Sequence, residues 1–153
     1  MGVIPKWTKE DIDIRFDKFL EVIEREIISR LQYLGELCVT HAREIPASVG
    51  FTDQTGALRS SIGYVIFKDG TAIHSNYNVV GGGSEGVAAG MALAHKVGAK
   101  YKGIALVVTA GMNYAIKLES RGRDVLTSAE TMAKQEFPRI MQELKDNINK
   151  SLN

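Results

Sequence analysis

Phe16, Leu20, Ile23, Ile27, Leu31, Leu34 and Cys38 recur at spacings of three and four residues, which places them on one stripe of a single long helix. Lys18, Glu21, Arg25, Ser29, Gln32 and Glu36 occupy the opposite face. The pairs Asp11/Arg15, Glu21/Arg25 and Glu26/Arg30 put an acid four residues before a base, each worth roughly 0.2 to 0.5 kcal/mol. Thr8 is placed to cap the helix, with Asp11 at its third position, and Pro46 stops it because the residue before a proline avoids the α region. The spacing predicts a helix over residues 9–44, and whatever else the chain forms has to cover its apolar stripe.

Residues 47–54 combine Ser, Gly, Thr and Asp without apolar period and read as a surface loop. Residues 61–68 alternate as a strand, with Ile62, Tyr64 and Ile66 on one face and Val65 and Phe67 on the other. Asp69-Gly70 suits the two positive-φ positions of a type I′ turn, so residues 71–80 are expected to return as its hairpin partner. Gly81 to Gly83 break that strand, and Ser84 is expected to cap a small-residue helix over 85–97. There Gly86, Ala88, Ala89, Gly90, Ala92 and Ala94 allow close backbone approach, while Gly90 costs about 1 kcal/mol relative to alanine. That segment is expected to stay mobile until something packs on it. Residues 103–109 form a third strand and 114–120 a helical turn. Leu126, Ala129, Ala133, Phe137, Met141, Leu144 and Ile148 trace a last amphipathic helix, which Pro138 is expected to kink or divide. The class is α+β, a small, mostly antiparallel sheet packed against long N-terminal and C-terminal helices, in one domain over residues 1–153.

Composition narrows the partners. At 153 residues the chain should bury roughly 70% of its unfolded surface, and 44% apolar with 24% charged residues is ordinary for a globular protein. Nineteen basic residues against eighteen acidic ones leave a net charge of +1, without the basic field that DNA binding needs, so no specific nucleic acid is expected. Cys38 is the sole cysteine, which excludes an internal disulfide. The longest apolar run, Ile104 to Val108, is far short of the roughly 20 residues of a membrane helix. Neither a signal peptide nor a myristoylation pattern is legible at Met1 to Trp7, so the product is expected to stay where it is made, with no membrane partner.

Each chemical constellation has a blander competitor. Gly81-Gly82-Gly83-Ser84-Glu85-Gly86 formally satisfies G-x-G-x-x-G, but residues 100–110 hold no acid to grip a ribose, which favours a glycine hinge or assembly loop. Cys38 and His41 lie one helical turn apart, yet Cys38 belongs to the apolar stripe and reads as structural. His74 and His95 stand outside any zinc spacing, and neither Ser60 nor Ser61 sits in a Gly-x-Ser-x-Gly elbow. Glu119, Arg121, Arg123 and Asp124 read as a solvated turn or a subunit contact before they read as an acid-base pair. Catalytic residues, metal and cofactor are therefore all expected to be absent.

Thr55, Gly56, Leu58, Ser61 and Ile62 spell Thr-Gly-x-Leu-x-x-Ser-Ile directly before the first strand, and Tyr114-Ala115 with Glu119 spells Tyr-Ala-x-x-x-Glu ahead of the closing helix. In these motifs and in element order the chain resembles the tail-completion and head-to-tail joining proteins of long-tailed phages. Two departures stand out: Asp124 to Ala129 replaces the family's Pro-Phe-Leu-like stretch, and a glycine-rich insert spans residues 81–102. The resemblance implies a virion structural protein and not an enzyme. Its subunits would close into a ring through heterologous contacts and would meet other head, connector or tail proteins. It also implies the bacterial host cytoplasm during assembly, and the virion afterwards if the phage is active. The contact candidates it suggests are Thr55, Gly56, Leu58, Arg59, Gly83, Tyr114, Glu119, Arg121 and Arg123. Gly56 is expected to make a tight turn that aims Arg59 outward, so a Gly56→Val variant should fail to assemble. The competing readings are a small hydrolase or nucleotide-binding enzyme using the Gly81–Gly86 loop, and a toxin-antitoxin or regulatory binding module.

Overall fold

A computed structural model describes Gly2 and residues 6–152. Helix α1 runs over Lys9–Arg43, helix α2 over Ala57–Ser60, and strands β1 and β2 over Ile62–Lys68 and Thr71–Asn76. Helix α3 (Ser84–Gly98), strand β3 (Ile104–Ala110), helix α4 (Ala115–Ser120) and helix α5 (Thr127–Leu152) follow. The sheet is antiparallel in the order β2-β1-β3, with the long terminal helices against it, which is the α+β arrangement expected.

Local chemistry fixes the ends of these elements. Thr8 and Asp11 form a reciprocal capping box at the start of α1, the Thr8 backbone N–H donating to the Asp11 carboxylate at 2.8 Å. Asp69 and Gly70 both take positive φ, as the type I′ turn requires. Ile62 pairs with Ala110 and Lys68 with Ile104, so β1 is central, and both of its faces are covered. Ile62, Tyr64 and Ile66 face α1 and α5 together with Leu106 and Val108, whereas Val65, Phe67 and Val107 form a second core with α3.

Four expectations need correction. The α3 segment is not waiting for a partner. Gly86, Gly90, Ala94 and Gly98, spaced four apart, are its buried residues, and they lie directly on α2, β1 and Phe67. Its cap is Gly83 and not Ser84, because the Ala57 backbone fills the place where a Cβ at residue 83 would stand. Strand β2 stops at Asn76, since the Val80 N–H leaves the ladder to donate to the Ser60 hydroxyl at 2.8 Å. Pro138 lies inside an undivided α5, where Ala129, Ile140 and Leu144 are buried on both sides of it and packing offsets the lost hydrogen bond.

The α1 stripe divides in two. Leu31, Leu34 and Cys38 are buried, but Phe16 is 58% exposed and Leu20 46% exposed. Length explains this: 35 residues of helix reach about 52 Å, while strands of this size reach about 20 Å. Lys68 pairs with Glu24 at 2.6 Å at the hairpin end of the sheet, and the part of α1 before Glu24 projects beyond it as an arm.

Candidate functional site

The end of the sheet opposite the hairpin gathers most of the residues singled out by sequence. Asp53 accepts hydrogen bonds from the Leu58 and Arg59 amides at 3.4 and 2.7 Å, and the Thr55 hydroxyl accepts from the Ala57 amide at 3.3 Å. These bonds nucleate the single turn of α2, which is too short to show a period in the sequence. Gly56 adopts φ 80°, and a Cβ there would stand 2.6 Å from the carbonyl oxygens of both Val80 and Gly81. The Ser60 hydroxyl accepts from the Val80 amide and donates to the Gly82 carbonyl, each at 2.8 Å. The Thr55–Ser61 motif and the Gly81–Gly86 loop are thus one built unit, with the glycines pressed against the chain's own backbone.

Leu58 is completely buried in the main core. Arg59 does not project outward as expected. It is half-buried, its Nε donates to the Arg43 carbonyl at 3.3 Å, and its guanidinium carbon lies 4.8 Å from the Phe51 ring centroid. Tyr114 packs on the same core, and burial, then the nearby Asp53 and Glu85 carboxylates, push its phenol pKa up.

Glu119 and Arg123 form an adjoining seam. One Glu119 carboxylate oxygen accepts from the Val125, Leu126 and Thr127 amides at 2.9, 2.6 and 3.1 Å, and the other accepts from the Thr127 hydroxyl at 2.6 Å. It therefore satisfies the orphan donors at the start of α5. Burial works against its charge, but the bonds from Thr127, Leu126 and Val125 prevail and hold the carboxyl below its ordinary value of 4.5. Arg123 donates to the Ser48 carbonyl at 2.9 Å, and the Asp124 amide donates to the Val49 carbonyl at 3.1 Å, which ties the 47–54 loop to the turn before α5. Arg121 is exposed beside them.

A Glu119→Ala variant should lose about 2 kcal/mol, as removal of a strong helix cap does. Because the folded carboxyl is more acidic than the free one, its contribution is fully present above pH 4.5 and disappears as pH falls through the folded pKa. Glu119→Gln should accordingly flatten the acid limb of the stability curve, read from urea melts between pH 3 and 7, roughly the span that brackets the carboxylate range. An unchanged acid limb would remove Glu119 from this role.

The remaining constellations separate. Cys38 is buried with Sγ 3.9 Å from the Ala129 carbonyl, and burial pushes its thiol pKa up. His41 instead meets the Ser128 hydroxyl at 2.7 Å. A cluster not foreseen from sequence joins Tyr64, whose hydroxyl donates to Glu36 at 2.8 Å, with Asn76, which donates to the same carboxylate oxygen at 2.5 Å. His74 Nε2 lies 3.1 Å from the same hydroxyl. Burial, and then the Glu36 carboxylate, push the Tyr64 phenol far above its ordinary range, so it serves as a hydrogen-bond donor locking β1 to α1. Alternation placed Tyr64 on the helix-facing side of β1, but no sequence signal selects Glu36 as its partner.

Among the described residues no group of three or more His, Cys, Asp or Glu side chains is placed to hold a metal ion, and no helix is long and apolar enough to cross a membrane. Against known proteins the chain stands without a match: no family model fits it, and no curated protein and no solved structure matches it.

Proposed function

We propose that the chain is a structural subunit of a phage or prophage virion, a tail-completion or head-to-tail joining protein that works by assembling with copies of itself and with neighbouring head, connector or tail proteins. The observation that carries the assembly part is surface. The chain presents 9919 Å² of accessible area, whereas a compact monomer of 16.8 kDa presents about 7,700 Å². The excess of about 2,200 Å² on one chain exceeds the roughly 800 Å² that each partner gives to an ordinary protein interface, and accommodates two such interfaces per subunit.

The phage part rests on the two motifs. Thr55, Gly56, Leu58, Ser61 and Glu119 hold turns, caps and core together, which is the duty expected of a motif that marks an architecture. Sequencing the DNA that flanks the gene tests this part. Portal, major capsid and tail-tube genes are the expected neighbours, and a metabolic or regulatory operon would overturn the reading.

A further inference from the structure

The arm of α1 carries two parallel stripes. Ile12, Phe16 and Leu20 are exposed at four-residue intervals and continue the line of Ile27 and Leu31, which sit against the core. About a quarter turn round the helix, Glu10, Asp13, Asp17, Glu21 and Glu24 recur at spacings of three and four. Of these acids only Glu24 has an ion-pair partner among the described residues.

The same chain carries a surface of complementary character. A groove of about 630 Å³ runs between α1, α5 and β3, lined by Ile27, Leu106, Ala133, Phe137 and Met141. That is within the range of pockets that accept a sizeable ligand. The charged residues of its lining, Glu130 and Lys134, pair with each other at 2.9 Å, and Ile104, also in the lining, directly follows the exposed segment Lys100-Tyr101-Lys102-Gly103. No acid occurs between Lys96 and Lys117, and Lys100 and Lys102 have no ion-pair partner among the described residues.

The geometry points to a specific self-contact: the arm of one copy, about residues 9–23, lies as a helix in the groove of a second copy, Ile12, Phe16 and Leu20 entering it and the acidic stripe facing the lysines. This rests on the self-assembly reading above and names its contact. The arm cannot fill its own groove, because α1 is one unbroken helix. A second copy is the occupant because the unpaired acids and the unpaired lysines belong to the same sequence, and because the excess surface is of the size that such a contact buries. The contact is heterologous, each subunit giving an arm and receiving one, so it propagates into a closed ring or a filament.

Sedimentation velocity over a concentration series tests the contact with two double variants of exposed residues. Phe16→Asp/Leu20→Asp removes the arm, and Lys100→Glu/Lys102→Glu reverses the rim. The wild type should self-associate, and each variant alone should do so at least tenfold more weakly while keeping the wild-type melting temperature. Mixed together, the two variants should form a 1:1 complex, because one retains an intact rim and groove and the other an intact arm. Adding Asp13→Lys/Asp17→Lys to the rim variant should restore its self-association. Variants that associate like the wild type would overturn the arm contact and leave self-assembly standing. Loss confined to the arm variant, with the rim variant associating like the wild type, would overturn it in favour of arm-to-arm pairing, and loss in both without recovery on mixing would overturn it as well. A wild type monomeric at every concentration would overturn both, while the flanking genes still decide the phage reading independently.

Discussion

Gly86→Val should lower stability by more than about 3 kcal/mol, the upper end of the cost of overpacking. For a chain of this length that corresponds to a melting point lower by roughly 10 °C in a circular dichroism melt. A side chain at residue 86 would be driven into the Ala57 carbonyl, well inside the 3.0 Å that real Cβ contacts respect, and its next neighbours are the Ala57 carbonyl carbon at 2.9 Å and the Ser61 amide at 3.0 Å. All of these are backbone, so no rotamer change can relieve the clash. Helix α3 would have to lift from α2, taking Gly90 off the Ser61 carbonyl and disturbing the bond from the Thr109 hydroxyl to the Gly90 carbonyl at 3.1 Å. Gly81→Ala supplies the contrast. The space around Gly81 is open, so only its φ of 70° opposes a side chain, at about 1 kcal/mol. Equal melting points for the two variants would mean that α3 is not seated on α2.

The same glycines show how far the sequence could be read. Their spacing announced a close approach, but not to what. The partner, α2, is one helical turn built by Asp53 and Thr55, and a turn of four residues leaves no period to detect. Elements with long periods or specific turn chemistry were legible. Helices α1 and α5 and the Asp69-Gly70 turn all lie where spacing and φ requirements put them, although on α5 Phe137 of the expected stripe is 44% exposed and Ile140 is buried instead. The extent of burial along α1 was not, because it depends on where the sheet ends, and the sheet's length becomes visible only at the Lys68–Glu24 pair.

The motif residues were legible as a group, but their physical roles were not. Thr55, Gly56, Leu58, Gly83 and Tyr114 do come together, and Glu119 and Arg123 adjoin them through the 47–54 loop. A search for contact residues predicts exposed side chains, yet Leu58 is buried, Gly56 is buried and Arg59 is folded onto Phe51. A row of exposed apolar side chains, Ile12, Phe16 and Leu20, lies instead at the other end of the molecule, along the arm, while Val49, Val79 and Ile116 are exposed singly nearer the motif. The separation has a mechanical consequence. One end sets the shape of the subunit and the other offers side chains to a partner, so changes at the two ends should affect different observables.

Leu58→Ala is the variant in which that distinction is largest, with an expected loss of about 3 kcal/mol. Leu58 is fully buried on the face of the core shared with Leu34, Ile62 and Val125, and α2 is pinned on one side by Asp53 and on the other by the glycine loop, so the site cannot collapse to fill the missing volume. Arg59→Ala next to it removes one hydrogen bond to a carbonyl and one ring contact, for about 1 kcal/mol. Measured by urea unfolding, the two costs should differ about threefold, and neither variant should weaken self-association beyond what its unfolded fraction explains. The arm variants should show the reverse, full stability with lost association. A Leu58→Ala protein of nearly wild-type stability that no longer assembles would reverse the assignment and make the motif itself the contact surface.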